Sequence, residues 1–241
     1  YSKGTTIVNG VVTFTAIDHT ACGIGTWQNE TGQSSCKDAD AGYYSPGTVG
    51  GVGVSATTTA TSQTPCAAGT YSNYVATTPP SDRASCTDSA AGYYSPGTVG
   101  GTDVDSSVTT VASSQIPCAA GTYQASTGQS SCDTTDSGYY SLGTTIVNSV
   151  VTNTATGPTA CAVGTYQAST GQSSCDDAEA GYSVSVTAST SQTPCTAGTY
   201  QASTGQSSCD DADAGYSVSG TAAISQTACS AGTYQALTGQ S

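Results

Sequence analysis

Apolar residues along this 241-residue chain occur in short runs between Gly, Ser and Thr. No window places them at the three- and four-residue spacing of an amphipathic helix, and Thr, Val, Ser and Gly are poor helix formers. The clearest runs are the Val-rich arms of TTIVNGVVTFT around Asn9-Gly10, a dipeptide that favours a β-hairpin turn. Gly50-Gly51 and Gly100-Gly101 are expected to form similar turns. The pattern predicts short β-hairpins and little or no helix.

The phrase C-x-x-G-T-[YW] recurs along the chain, at Cys22, Cys66, Cys118, Cys161, Cys195 and Cys229. Four copies reach a second cysteine with the spacing C-x13-C, and the copy at Cys66 carries about six more residues, around Pro79-Pro80, before Cys86. We call the segment from an opening to a closing cysteine a cysteine loop. In each loop Gly-Thr-Tyr-Gln is predicted to be a strand, Ser-Thr-Gly a turn and Gln-Ser-Ser-Cys the return strand.

The Gly-Tyr step that follows each cysteine loop divides the chain into six repeats. Their predicted bounds are 1–42, 43–92, 93–138, 139–181, 182–215 and 216–241. Repeat 5 has the short form, and repeats 1 to 4 have long forms with an added hairpin before the opening cysteine. Tyr1 aligns with Tyr140, and the partner of Cys229 is expected two residues past Ser241. We therefore expect a segment of a longer array, in which Cys229 is unpaired.

Composition argues against one large core. Leu occurs only at Leu142 and Leu237, Phe only at Phe14, and Met is absent. Small units with few apolar contacts usually need covalent links, and the 11 cysteines can supply them. No C-x-x-C pair exists and His19 is the only histidine, so disulfides in an oxidising compartment are favoured over a metal site or free thiols.

A loop of constant length suits a disulfide of fixed geometry, whereas the distance between successive loops varies. The spacing therefore predicts that each opening cysteine pairs with its own closing cysteine. The expected pairs are Cys22–Cys36, Cys66–Cys86, Cys118–Cys132, Cys161–Cys175 and Cys195–Cys209.

The charge balance excludes several partners. The net charge is −13, from 16 acids against Lys3, Lys37 and Arg83. Nucleic acids and anionic membranes both require clustered cations, and no apolar run approaches a membrane-spanning length. A single His, with no paired acids in an apolar setting, leaves no general base with an orienting partner. We therefore expect a secreted, extracellular protein that is not an enzyme, and we expect His19 at the surface.

Most acids follow a closing cysteine within five residues. They are Asp38, Asp40, Asp88, Asp133, Asp136, Asp176, Asp177, Glu179, Asp210, Asp211 and Asp213. The phrase Asp-Ala-Asp-Ala-Gly looks like a fragment of a calcium loop, but a complete loop needs six to eight oxygens and a bidentate acid further on. The sequence favours solvated turns, with calcium at these turns as the alternative, and indicates no other cofactor.

Covalent glycans are expected at one defined position. Asn29-Glu30-Thr31 is an N-glycosylation sequon at the predicted tip of the first cysteine loop. Stretches such as ATTTATSQTPC are either O-glycosylated or plain polar β-surface. The recurring aromatic residues are interpreted as core packing rather than as ligand contacts. They are Trp27, Tyr71, Tyr123, Tyr166, Tyr200 and Tyr234 in the loops, and Tyr43, Tyr93, Tyr139, Tyr182 and Tyr216 after the acids.

The repeated phrase resembles the ephrin-receptor-like cysteine-rich repeat, an EGF-related module built around C-x-x-C-x-x-G-x-Y, and the resemblance covers the whole chain. Each repeat here has about half of that module's cysteines, since the others would stand at Ala212 and Gln192. The resemblance implies an extracellular, elongated tandem array that serves as spacer and scaffold. Such repeats occur in secreted proteins of algae and protists, including proteins similar to flagellar-hair (mastigoneme) shaft subunits.

Two functions remain in view. The first is a structural subunit of a glycosylated extracellular filament, sheath or flagellar-hair-like fibre, with copies of itself as partners, head to tail and laterally. The second is an adhesin or receptor-stalk binding array, stabilised by calcium in one version. Such an array would contain one repeat with an exposed apolar or charged patch, and repeat 43–92, the only candidate, is polar. Ice binding needs Thr at a strict period, which is missing here.

Overall fold

A computed structural model describes residues 6–8, 11–14, 21–47, 60–73, 84–99 and 110–241. These residues form no helix, and their strands pair into two-stranded sheets. The all-β prediction is therefore confirmed for the described part of the chain. The predicted turns at Asn9-Gly10, Gly50-Gly51 and Gly100-Gly101, the surface position expected for His19, and the insert around Pro79-Pro80 lie outside the described residues.

One hairpin belongs to each complete cysteine loop. Its first strand contains the Thr-Tyr or Thr-Trp step, and its second strand begins directly after the closing cysteine. The pairs are β3 (Thr26–Trp27) with β4 (Lys37–Asp38), β7 (Thr70–Tyr71) with β8 (Thr87–Asp88), β11 (Thr122–Tyr123) with β12 (Asp133–Thr134), β17 (Thr165–Tyr166) with β18 (Asp176–Asp177), and β21 (Thr199–Tyr200) with β22 (Asp210–Asp211).

A second hairpin connects each loop to the next opening cysteine. It runs from the Gly-Tyr step to the two residues before that cysteine. The pairs are β5 (Tyr43–Tyr44) with β6 (Thr64–Pro65), β9 (Tyr93–Tyr94) with β10 (Ile116–Pro117), β13 (Tyr139–Tyr140) with β16 (Thr159–Ala160), β19 (Tyr182–Ser183) with β20 (Thr193–Pro194), and β23 (Tyr216–Ser217) with β24 (Thr227–Ala228).

Two further hairpins are the insertions expected in the long repeats. They are β1 (Thr6–Val8) with β2 (Val11–Phe14), and β14 (Thr145–Val147) with β15 (Val150–Asn153). We call each of them a side hairpin. The β14–β15 pair is antiparallel, with Ile146 opposite Val151 and Val147 opposite Val150. Its turn residues Asn148 and Ser149 have φ of 50° and 65°, as a two-residue turn of type I′ requires.

The return strand of the cysteine loop is not the predicted one. Tyr166 pairs with Asp176 and Thr165 with Asp177, so the strand follows the closing cysteine. Residues 172–175, the Gln-Ser-Ser-Cys segment, lie outside the strand. The prediction was wrong because Gly171, with a φ of 70°, places a tight turn ahead of this segment. The chain then needs these residues to return to the level of Tyr166.

The two kinds of hairpin are versions of one 17-residue unit. Glycines with positive φ recur every 17 residues, at Gly164, Gly181, Gly198, Gly215 and Gly232. Register agrees: Thr165 pairs with Asp177, and Tyr182, 17 residues after Thr165, pairs with Pro194. Each short repeat therefore consists of two half-repeats. A closed half-repeat begins at an opening cysteine, as 161–177 does, and an open half-repeat begins at a small residue, as 178–194 does.

The described residues divide into two compact units. The first comprises Tyr1–Ile116 with Ser126–Ser131, and the second comprises Pro117–Ala125 with Cys132–Ser241. The tip of the third cysteine loop thus belongs to one unit and its disulfide to the other.

Small residues form the core of both units. The first residue of each half-repeat is the most consistently buried: Cys22, Ala39, Cys66, Ser89, Cys118, Thr135, Cys161, Ala178, Cys195 and Ala212. Trp27 and Tyr43 are buried as predicted. The other recurring tyrosines are half-buried or exposed, so the prediction of an aromatic core is wrong for them. Successive half-repeats are joined directly by backbone hydrogen bonds.

Candidate functional site

Disulfides close the closed half-repeats. They join Cys22–Cys36, Cys66–Cys86, Cys118–Cys132, Cys161–Cys175 and Cys195–Cys209, the same pairs that the spacing predicts. The Cα atoms lie 5.7 to 5.8 Å apart, within the ordinary range for a disulfide. In each of these pairs the opening cysteine is buried and the closing cysteine half-buried. Cys229 is a free, half-buried thiol.

Most open half-repeats replace the disulfide by a small residue and a glutamine, and the one that begins at Thr135 has Pro158 at the glutamine position. Ala178 stands where Cys161 and Cys195 stand, and Gln192 stands where Cys175 and Cys209 stand. Gln192 Oε1 accepts a hydrogen bond from the Glu179 backbone N–H at 2.7 Å, and Gln192 Nε2 donates to the Glu179 carboxylate at 3.1 Å. The same exchange recurs for Gln63 with Asp40 and for Gln226 with Asp213. In these three half-repeats a polar side-chain clasp takes the place of the disulfide.

Backbone hydrogen bonds join each half-repeat of residues 161–241 to the next in the same way. Four bonds connect 178–194 to 195–211, with N···O distances of 2.7 to 3.0 Å. They are Cys195 N to Gly181 O, Gly181 N to Gln201 O, Val184 N to Gln206 O, and Gly205 N to Ala178 O. The junction before it has the equivalent four: Ala178 N to Gly164 O, Gly164 N to Val184 O, Gln167 N to Ser189 O, and Ala188 N to Cys161 O.

Glycine also permits a close approach between half-repeats that are one full repeat apart, such as 161–177 and 195–211. A Cβ on Gly164 would lie 2.2 Å from the carbonyl oxygen of Gly205, one full repeat further on. Gly198 meets Gly239 in the same way, at 2.3 Å. Both Gly164 and Gly198 also have positive φ, of 85° and 89°. The phrase C-x-x-G therefore supplies a buried residue for the core and, three residues later, a backbone surface without a side chain.

The acids are divided between two environments. The two residues after each closing cysteine, such as Asp176 and Asp177, lie exposed on a strand rather than in a turn. The next acid belongs to the glutamine clasp in three cases, Asp40, Glu179 and Asp213. Within the described residues no group of three or more His, Cys, Asp and Glu is arranged to hold a metal ion. Much of the carboxylate pattern thus follows from the hairpin and the clasp.

The sequon lies at an exposed hairpin tip. Asn29 and Thr31 are exposed. Lys37 Nζ donates to Asn29 Oδ1 and to Glu30 Oε1, both at 3.2 Å, and lies 5.1 Å from the centre of the buried Trp27 ring. Access at this tip is what an N-linked glycan requires.

Repeat 4 carries an exposed apolar patch. The side hairpin β14–β15 leaves Ile146, Val147, Val150 and Val151 exposed by 48, 52, 62 and 47 per cent, so both of its faces are uncovered. Its base is anchored, since Thr144 N–H donates to Cys118 O at 2.8 Å and Ala155 N–H to Thr144 Oγ1 at 3.0 Å. Repeat 43–92 was therefore not the only repeat to depart from the rest.

Two signals in the sequence could have revealed the half-repeat. One is glycine at 17-residue intervals from Gly164 to Gly232. The other is the alternation of Cys and Ala at the first position of each half-repeat between 161 and 229. In the sequence alone, the second signal looks like missing cysteines at Ala212 and Gln192. Residue types by themselves do not show that a buried alanine can take the position of a disulfide cysteine.

No protein-family model and no curated protein sequence matches this chain. Among the described residues, no helix is long and apolar enough to cross a membrane. The structure itself therefore characterises the chain. It consists of disulfide-closed β-repeats joined by a recurring set of backbone hydrogen bonds. Disulfides in this number are typical of secreted and extracellular proteins.

Proposed function

We propose that this chain is a structural subunit of a glycosylated extracellular filament, sheath or flagellar-hair-like fibre. The observation that carries the proposal is the recurrence of the same four backbone hydrogen bonds between successive half-repeats. Each half-repeat donates and accepts through different groups on its two sides. A contact of this heterologous kind has no built-in end and adds further units head to tail.

The covalent chemistry supports a load-bearing or protective role outside the cell. A disulfide in every second half-repeat limits local unfolding without the need for a large apolar core. The net charge of −13 and a glycan at Asn29 would keep the surface hydrated. The resemblance to ephrin-receptor-like repeats agrees with a spacer or scaffold.

Electron microscopy of the native material tests this function. We expect filaments or sheaths that bind an antibody raised against the first cysteine loop, residues 22–36, along their length. Antibody absorbed beforehand with that peptide is the control. Native protein that is found only as dispersed, unassembled molecules would contradict the proposal.

An adhesin or receptor stalk is the second candidate, because repeat 4 exposes an apolar hairpin that the fully described short repeat 5 lacks. A binding array needs one such departure from its repeats. Antibody labelling confined to a cell surface without filaments, together with capture of a foreign partner through this hairpin, would favour it over the fibre.

A further inference from the structure

We propose that the side hairpin β14–β15 is a docking surface for a second copy of this chain, which contacts it through a side hairpin of its own. This inference rests on the proposed function and specifies the lateral contact within it. Val147 and Val150 form one apolar face of the hairpin, and Ile146 and Val151 form the other.

Exposure on both faces is unusual for such a ribbon. An isolated two-stranded hairpin is marginally stable in water, and natural ones cover at least one face. Here each face keeps about half of its aliphatic surface accessible. The fixed base at Thr144 and Ala155 holds the ribbon in place, so docking requires little further ordering.

The distribution of charged residues along the chain indicates which partner covers the side hairpin β14–β15. The chain has 16 acids, but no charged residue occurs between Ser137 and Cys175. Two copies with a net charge of −13 each repel one another over most of their surfaces. An uncharged segment with an exposed apolar ribbon is a place where two copies can meet without bringing carboxylates together.

The repeated sequence of the side hairpin also indicates that a second copy of this chain covers β14–β15. The arms TTIV and VVT occur both in β1–β2 and in β14–β15. Each copy thus contains two hairpins of matching sequence, and pairing β1–β2 of one copy with β14–β15 of another does not end at a dimer. The patch on β14–β15 consists of four aliphatic side chains, which is little compared with the at least about 1,000 Å² that a stable interface buries. We therefore expect weak single contacts that gain strength through multivalency.

Sedimentation equilibrium of the whole 241-residue chain over a wide concentration range tests the proposal. Val147→Thr with Val150→Thr alters one face, and Ile146→Thr with Val151→Thr alters the other. Threonine keeps the β-branched shape that the strands favour. The matched control is Val186→Thr with Ile224→Thr, whose side chains are 61 and 58 per cent exposed in the same compact unit.

We expect the wild type and the control to self-associate equally, and at least one hairpin variant to lose about tenfold or more in association constant, or about 1.4 kcal/mol. Intact disulfides and an unchanged circular dichroism spectrum establish that the variants are folded. Equal association of the hairpin variants and the control would overturn the hairpin contact and leave the fibre standing. A wild type that remains monomeric at every concentration would also overturn it, whereas the fibre is decided by microscopy of native material.

Discussion

At the scale of the residue, glycine meets two different demands within one half-repeat. Gly164 has positive φ and also faces the carbonyl of Gly205 at a distance that excludes any Cβ. Gly205 has a similar φ of 70°, but a Cβ there would make only an ordinary contact of 3.5 Å with Asp177. At the equivalent position of the open half-repeats stand Ala188 and Ala222, with φ of 55° and 56°. Conformation alone therefore tolerates alanine, and close packing does not.

Gly164→Ala is expected to destabilise the fold by about 2–5 kcal/mol, from left-handed backbone strain together with overpacking. Gly205→Ala should cost only about 1–2 kcal/mol, from strain alone. Denaturant unfolding of both variants with intact disulfides measures the difference. Equal losses of stability would show that the contact between Gly164 and Gly205 does not constrain how half-repeats 161–177 and 195–211 pack.

At the scale of the element, the glutamine clasp and the disulfide occupy the same place in the half-repeat. We expect Ala178→Cys with Gln192→Cys to form a new disulfide, because positions 178 and 192 correspond to Cys161 and Cys175. The substitutions are made with Cys229→Ser to prevent exchange with the free thiol. The new bridge should add about 3 kcal/mol in the chain-entropy model.

Non-reduced peptide mapping measures that pairing. The control is Ala178→Cys with Cys229→Ser but without Gln192→Cys, which should leave one titratable thiol and the five original bridges. Two free thiols in the double variant, or bridges exchanged with Cys161 or Cys195, would contradict the equivalence of open and closed half-repeats.

The turn of the side hairpin gives a second prediction at this scale. Ser149 adopts a φ of 65°, whereas the corresponding residue of the first side hairpin is Gly10. Ser149→Gly should stabilise the hairpin by up to about 1 kcal/mol by removing left-handed strain. Asn148→Gly should gain less, since asparagine tolerates this conformation well. Hydrogen exchange at the amides of β14 and β15 reports the local effect. Faster exchange in Ser149→Gly would contradict the prediction.

Much of the organisation at this scale can be predicted from the sequence. The features that cannot be predicted each have a physical reason. Regular spacing identified the closing partner of each opening cysteine, and the long form of repeat 4, whose Tyr140 aligns with Tyr1, predicted the side hairpin. The return strand could not be predicted because Asp176 and Asp177 have low β-propensity. Their strand forms because they pair in register with Thr165 and Tyr166. The core of small residues was not predicted because large aromatic side chains usually fill a protein core, and the recurring tyrosines were expected to do so here.

At the scale of the whole molecule, surface chemistry is dominated by acids and by exposed Ser and Thr. We expect chain isolated from its natural source to be heavier than the 23.6 kDa polypeptide, with an N-linked glycan at Asn29. Intact mass before and after enzymatic removal of N-glycans measures this. Expression of Asn29→Gln in a secreting eukaryotic host should abolish the N-linked part, and Thr31→Ala should do the same. A native mass equal to that of the bare chain would remove the glycan from the proposed function.

The alternation of closed and open half-repeats has a mechanical consequence. A chain pulled from its ends cannot extend the segment between Cys161 and Cys175, which are 14 positions apart in the sequence, because the bond holds their Cα atoms 5.8 Å apart. Reduction would release about 40–45 Å of contour from each such loop, at about 3.3–3.6 Å per residue. The open half-repeats between the loops have no such limit, so under tension they are expected to yield first, as the clasp of Gln192 and Glu179 gives way. A tether of this design lengthens in short steps while its covalent loops stay shut, and its maximum extension depends on the redox state around it.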